Sequence, residues 1–208
     1  MGNRPSALTG EDAEVRRFNM FVPNDVREWS IHFKTTYPDG YMRETDIEKI
    51  FIVCYSHKIN NSLHLKRFTK QLFNTLDITN TGRLNFNEVM IGFSILTKGS
   101  FLEKVAWLFR FYDTDKDGYV GKDEFIDSYR AIKNIVEHSR PSENDFCGDI
   151  SAKNEEAKRR EEETEKAVTE MTSELFADNK HRIEFKEFEE ICRQNNERMK
   201  QMSIFSLM

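Results

Sequence analysis

Asp113, Asp115, Asp117 and Glu124 are the residues of this 208-residue chain whose types and spacing most directly suggest chemistry. They stand in "DTDKDGYVGKDE", where five carboxylates crowd around Gly118. Like charges this close repel and call for a cation. Loop positions 1, 3 and 5 turn three aspartates to one side. Gly118 at position 6 tolerates the positive φ of a sharp turn, and Glu124 at position 12 is long enough to bind through both oxygens. The Tyr119 carbonyl at position 7 adds a backbone ligand, and a water fills the place left by Gly121 at position 9. Calcium is the hard cation that takes about 6–8 oxygens at about 2.3–2.6 Å. The alternative is an acidic turn solvated by water.

The flanks favour the metal, because something must hold these ligands. Phe101, Val105, Leu108, Phe109 and Tyr112 recur at helical spacing before the loop, and Phe125, Tyr129, Ile132 and Val136 after it. Helix, D-x-[DN]-x-[DN]-G-x5-E and helix make an EF-hand. A single hand leaves an apolar face exposed, so further copies are expected. Their marks are a glycine at position 6 and an apolar residue at position 8, which forms a short strand with its partner.

"DITNTGRLNFNE" (77–88) keeps Gly82 and Leu84 at these places. Its ligands are Asp77, Thr79, Thr81, the Arg83 carbonyl and Glu88. Two carboxylates replace four, so it is expected to hold calcium, or magnesium, more weakly. The alternative is a hand that keeps its fold without metal. "TTYPDGYMRETD" (35–46) keeps Gly40 and Met42 but begins with Thr35, carries bulky Tyr37 and stiff Pro38, and ends in the short Asp46. "FADNKHRIEFKE" (176–187) keeps Ile183 and Glu187 but has Phe176, Lys180 and His181 where a ligand, a ligand and the glycine belong. Neither of these two is expected to bind. The predicted fold is all-α: four EF-hands in two paired lobes, with a short two-strand ladder between the loops of each pair. Each lobe then holds one binding loop and one scaffold loop, so no cooperativity is expected between two sites of one lobe.

The chain divides into a flexible, acylated N-terminus (1–21), an N-terminal EF-hand pair (22–98), a third hand (99–137), a charged connector (138–167), a degenerate fourth hand (168–194) and a C-terminal tail (195–208). Apolar residues make up 38% and charged residues 32%, which suits a globular chain. The net charge of −5 gives no basic field for nucleic acid. No apolar run approaches about 20 residues, so no membrane-spanning helix is expected. The start lacks the apolar core of a secretory signal. Cys54, Cys147 and Cys192 read as free thiols. The histidines (His32, His57, His64, His138, His181) are scattered, and no nucleophile elbow, phosphate loop or zinc spacing is present. An enzyme is not expected.

The stretch "GSFLEKVAWLFRFYDTDKDGYV" resembles the signature of the neuronal calcium sensor family, the recoverin-like proteins, through Gly99, Ser100, Glu103, Lys104, Trp107, Phe109, Tyr112 and Asp113. Trp29 matches the aromatic residue of that family's first helix. Tyr37-Pro38-Asp39-Gly40 resembles its Cys-Pro-x-Gly, with tyrosine for cysteine. The likeness covers about residues 22–137. It weakens at the long connector and at the fourth loop, which family members often keep working. Calcineurin B, a regulatory phosphatase subunit, is the second resemblance, but it is similar to proteins with four working loops and no proline in the first.

Met1-Gly2-Asn3-Arg4-Pro5-Ser6 fits the myristoylation pattern M-G-x-x-x-[ST], and the resemblance adds weight to an acyl chain on Gly2. One such chain anchors only reversibly, with an association constant of about 10⁴ M⁻¹. The expectation is a cytoplasmic, reversibly membrane-associated calcium sensor. Its hydrophobic groove would take an amphipathic helix from a membrane enzyme, receptor or channel. Trp29, Phe33, Phe51, Phe68, Phe73, Phe86, Met90 and Phe93 are candidates to line that groove, each with a plain core role as the alternative. The apolar tail Met202 to Met208 is a candidate to lie in it. The other functions weighed are a calcineurin B-like regulatory subunit, a calcium buffer and a structural EF-hand protein.

Overall fold

A computed structural model describes residues 23–55, 62–139, 150–177, 180–195 and Met202. In chain order the elements are α1 (Pro23–Thr36), α2 (Glu44–Tyr55), α3 (Ser62–Leu76), α4 (Phe86–Lys98), α5 (Phe101–Tyr112), β1 (Tyr119–Gly121), α6 (Lys122–Ser139), α7 (Ile150–Leu175), β2 (Arg182–Glu184) and α8 (Phe185–Gln194). The fold is all-α apart from the short strands, as expected. Gly2 and the tail beyond Met202 lie outside the described residues.

Local chemistry explains where the helices break. α4 and α5 each begin with a capping box, in which the cap side chain and the third residue's carboxylate satisfy each other's backbone N–H. The pairs are Asn85 with Glu88 and Ser100 with Glu103. Between these helices Gly99 donates its N–H to the Ile95 carbonyl at 3.0 Å. A Cβ there would stand 2.4 Å from that oxygen, so Gly99 is needed for close approach. The Gly99–Ser100 pair thus ends one helix and caps the next.

Position 8 of each loop pairs with its neighbour. β1 and β2 run antiparallel, with Val120 opposite Ile183, both fully buried. The N-terminal pair is reduced to an isolated bridge, Met42 opposite Leu84, with two N–H···O bonds of 2.8 and 2.9 Å. Aromatic rings fill the C-terminal half: Phe109 meets Phe185 and Phe188 edge-on, and Phe125 packs against Tyr112, Tyr129 and Phe176.

The two halves share one continuous core rather than two. α3 joins them, packing on α2 and also on α5 and α6. Phe68 lies against Phe111 with ring centres 5.9 Å apart. The buried Gln71 amide donates to the Phe111 carbonyl at 2.6 Å, and Arg67 pairs with Asp127 at 2.9 Å.

The charged connector enters α7, a single helix of 26 residues, so the boundary drawn at 167/168 falls within it. Thr164, Val168, Met171, Thr172 and Leu175 form its buried stripe. Lys158–Glu162, Arg159–Glu163 and Lys166–Glu170 pair along its solvated side. Arg130 on α6 grips Glu165 through two hydrogen bonds of 2.5 and 3.0 Å. Met202 is buried, and its carbonyl accepts the Tyr112 hydroxyl at 2.6 Å. This part of the tail therefore sits in the C-terminal core.

Candidate metal centre

Asp113, Asp115 and Asp117 present carboxylate oxygens that all lie within 4.8 Å of one another. α5 ends at Tyr112, and the Asp113 N–H still reaches the Phe109 carbonyl at 2.9 Å, so the first ligand is placed by the last helical turn. Gly118 takes φ +89°, as the turn requires. Its N–H donates to Asp113 Oδ2 at 3.1 Å, while the Asp117 N–H donates to Asp115 and the Tyr119 N–H to Asp117. Glu124 lies across the loop. Its Oε1 accepts the Thr114 and Asp115 N–H groups and the Thr114 hydroxyl, and its Oε2 accepts the Gly121 N–H at 2.9 Å.

One oxygen is left over. Asp113 Oδ1 is buried without a hydrogen-bond partner. Burial pushes the Asp113 carboxyl above the usual carboxylate range; the Gly118 N–H opposes this, and the charges of Asp117, Glu124 and Asp115 reinforce it. A buried polar atom without a partner costs about 1–3 kcal/mol, and more when charged. A divalent cation removes that cost at Asp113 and the repulsion around it together. The residues present therefore fit calcium.

The second loop repeats much of this arrangement. Asp77 is buried and accepts the Thr81 and Gly82 N–H groups, at 3.0 and 2.8 Å. Glu88 Oε1 accepts both the N–H and the hydroxyl of Thr79, and the Thr81 hydroxyl donates to the Arg83 carbonyl at 3.0 Å. Unlike Asp113, Asp77 has both of its oxygens hydrogen-bonded within the loop, so the second loop holds no buried, unpartnered ligand oxygen.

In the other two loops, nearby cations occupy Asp39, Asp46 and Glu187. In the first, Asp39 pairs with Arg43 at 2.6 Å, while Asp46 accepts the Arg43 N–H and pairs with Lys49 at 3.3 Å. In the fourth, the Lys180 ammonium pairs with Glu187, and Phe176 is packed into the core at position 1.

Sequence reasoning missed two contributors. Thr114 clamps Glu124 from position 2, and the Lys116 ammonium of the third loop donates to Asn80 of the second. A hydroxyl at position 2 is a faint local signal. The contact between the two loops leaves none, since each residue looks like an ordinary exposed loop position.

The proteins this chain resembles bear on these loops. An EF-hand domain pair matches residues 102–193. Visinin of Gallus gallus is 31% identical over 143 residues, covering 67% of this chain and 72% of visinin. The chain belongs to the recoverin-like neuronal calcium sensor family. As a member of that family it is a calcium sensor, and the family is not one of enzymes.

In this sensor the candidate groove residues divide. Phe33, Phe68, Phe73 and Met90 are buried in the core, Phe51 and Phe86 are half-buried against it, and Trp29 and Phe93 meet edge-on at the surface with ring centres 5.7 Å apart. Among the described residues, no helix is long and apolar enough to cross a membrane.

Proposed function

We propose that this sensor binds calcium at the third loop through Asp113, Asp115, Asp117, the Tyr119 carbonyl and Glu124. A weaker site, open to calcium or magnesium, is formed by Asp77, Thr79, Thr81, the Arg83 carbonyl and Glu88. The observation that carries this is the buried, unpartnered Asp113 oxygen among three clustered carboxylates. The ion supplies the positive charge that the cluster lacks. Glu124 is the third residue of α6, so a change in what its carboxylate bonds is passed directly to that helix. α6 packs on α3 and α7, which gives the event a route to both halves of the molecule.

The readout is an apolar surface offered to an amphipathic helix of a membrane-associated target. Trp29 and Phe93, with exposed Ile50, Ile52 and Val53, supply its apolar character in the N-terminal half. An acyl chain on Gly2 would hold the sensor reversibly at the membrane, where such a target resides.

Calorimetric titration of the full chain with calcium tests the sites. Two sites are expected, the tighter one lost in Glu124→Gln and the weaker in Glu88→Gln. Three or more sites, or none, would overturn the assignment. Target binding is tested by affinity capture in calcium and in chelator, where the same proteins under both conditions would contradict regulation. Equal partition of wild type and Gly2→Ala onto liposomes would remove the acyl anchor.

A further inference from the structure

In each lobe the residue at loop position 7 stacks on position 7 of the paired loop. The Arg182 guanidinium of the fourth loop lies 4.2 Å from the centre of the Tyr119 ring of the third. The Arg83 guanidinium of the second loop lies 4.7 Å from the centre of the Tyr41 ring of the first. The roles are exchanged between lobes: the third loop contributes the ring, the second the guanidinium. What stays the same is that a loop without metal ligands grips position 7 of a loop that has them.

Position 7 is where an EF-hand loop uses a backbone carbonyl as its ligand. Its side chain is therefore free for another task, and its peptide must be held still. The neighbouring position-8 residues, Val120 with Ile183 and Met42 with Leu84, are paired and buried beside each stack. Backbone pairing at position 8 and ring stacking at position 7 together restrain the peptide between them.

We propose that Arg182 and Tyr41 are positioning residues. Through these stacks the two non-binding loops preset the position-7 carbonyl of the binding loops for calcium. The inference rests on the calcium sites proposed above and gives the degenerate hands a task beyond filling the fold. A guanidinium also repels a dication. Arg182 and Arg83 are exposed, so water and salt screen that repulsion, and the stack prevails. An exposed cation–π contact corresponds to about a two- to fivefold change in an equilibrium constant.

Calcium titration of the full chain by calorimetry, with thermal unfolding in chelator alongside, provides the test. Arg182→Met and Tyr119→Leu should each weaken the tighter site about two- to fivefold, and the double variant should be no worse than either single change. Tyr41→Leu should weaken the other site alone. The unfolding midpoint in chelator should fall by no more than about 2–4 °C, as loss of one exposed stack allows, whereas a merely structural contact would lower that midpoint and leave calcium affinity unchanged. Tighter or unchanged binding in Arg182→Met, or additive losses in the double variant, would overturn this inference alone. Failure of the wild type to take up calcium would overturn both it and the site assignment.

Discussion

Replacing Asp113 by asparagine should stabilise the calcium-free protein while removing its tighter site. The oxygens of Asp113, Asp115 and Asp117 fall within 4.8 Å of one another. A like-charge pair at that distance costs about 1 kcal/mol in the dielectric of water. Neutralising Asp113 relieves two such pairs, and a Debye length of about 8 Å roughly halves the total, to about 1 kcal/mol at physiological salt. The buried Asp113 Oδ1, which lacks a partner, adds relief of the same sign. The amide oxygen of asparagine can keep the Gly118 N–H bond in a weaker, neutral form, which offsets a few tenths. A gain of about 1 kcal/mol raises the melting temperature of a chain of this size by about 2–4 °C. In calcium the order reverses, because a ligand at about 100 times its dissociation constant stabilises the wild type by about 2.7 kcal/mol. The assay is thermal unfolding of both proteins in chelator and in calcium. pH supplies a check. The folded Asp113 pKa is raised above 3.8, so the folded state holds that proton more tightly than the unfolded one. Its contribution is therefore full below the unfolded value and fades as pH rises through the folded one. Asp113→Asn should lack that slope. A variant that melts at or below wild type in chelator would show that the carboxylate stabilises the loop through Gly118, and would refute the claim that repulsion and burial dominate at Asp113.

Two further expectations concern sites away from the metal. Arg130→Met should cost about 1 kcal/mol or less, because the ion pair with Glu165 is partly exposed. Its hydrogen bond to Arg130 holds the Glu165 carboxyl below 4.5, so this stability is present above the unfolded value and is lost as pH falls through the folded one. Urea unfolding at pH 7 and pH 3 should show the gap between variant and wild type closing in acid, and a gap that persists would contradict it. Burial pushes the Cys192 thiol up to about 12, which leaves almost no thiolate. Alkylation mapped by mass spectrometry at pH 8 should reach Cys192 only at the rate of unfolding, and modification at the pace of an exposed thiol would be inconsistent with its burial.

Much of the candidate site was legible before the fold. A metal loop packs its ligands into twelve consecutive residues, so Asp113, Asp115 and Asp117 converge as their alternate spacing implies. Gly40, Gly82 and Gly118 all take positive φ, from +70° to +89°, which is what glycine at position 6 suggests. The loss of ligands in the first and fourth loops was equally local, in Tyr37, Pro38, Phe176 and Lys180. The groove candidates were less legible, since helical spacing marks an apolar side chain without saying whether it faces the core. Phe68 turned inward towards Phe111, while Trp29 and Phe93 remained at the surface.

By itself, then, the sequence determined the helices, the four loops and the clustering of three aspartates in the best of them. Each depends on periodicity or on spacing within a few residues, and short chain segments obey those rules wherever they sit. Only the tertiary structure decided how the loops meet. The contact from Lys116 to Asn80, the bond from Gln71 to Phe111, the Arg–Tyr stacks and the docking of Met202 on Tyr112 join distant stretches of chain. They arise from packing amphipathic helices into one core, and no local pattern encodes which surfaces that packing brings together. The unpartnered oxygen of Asp113 belongs to the same class: its residue type was readable, but its burial came from the fold.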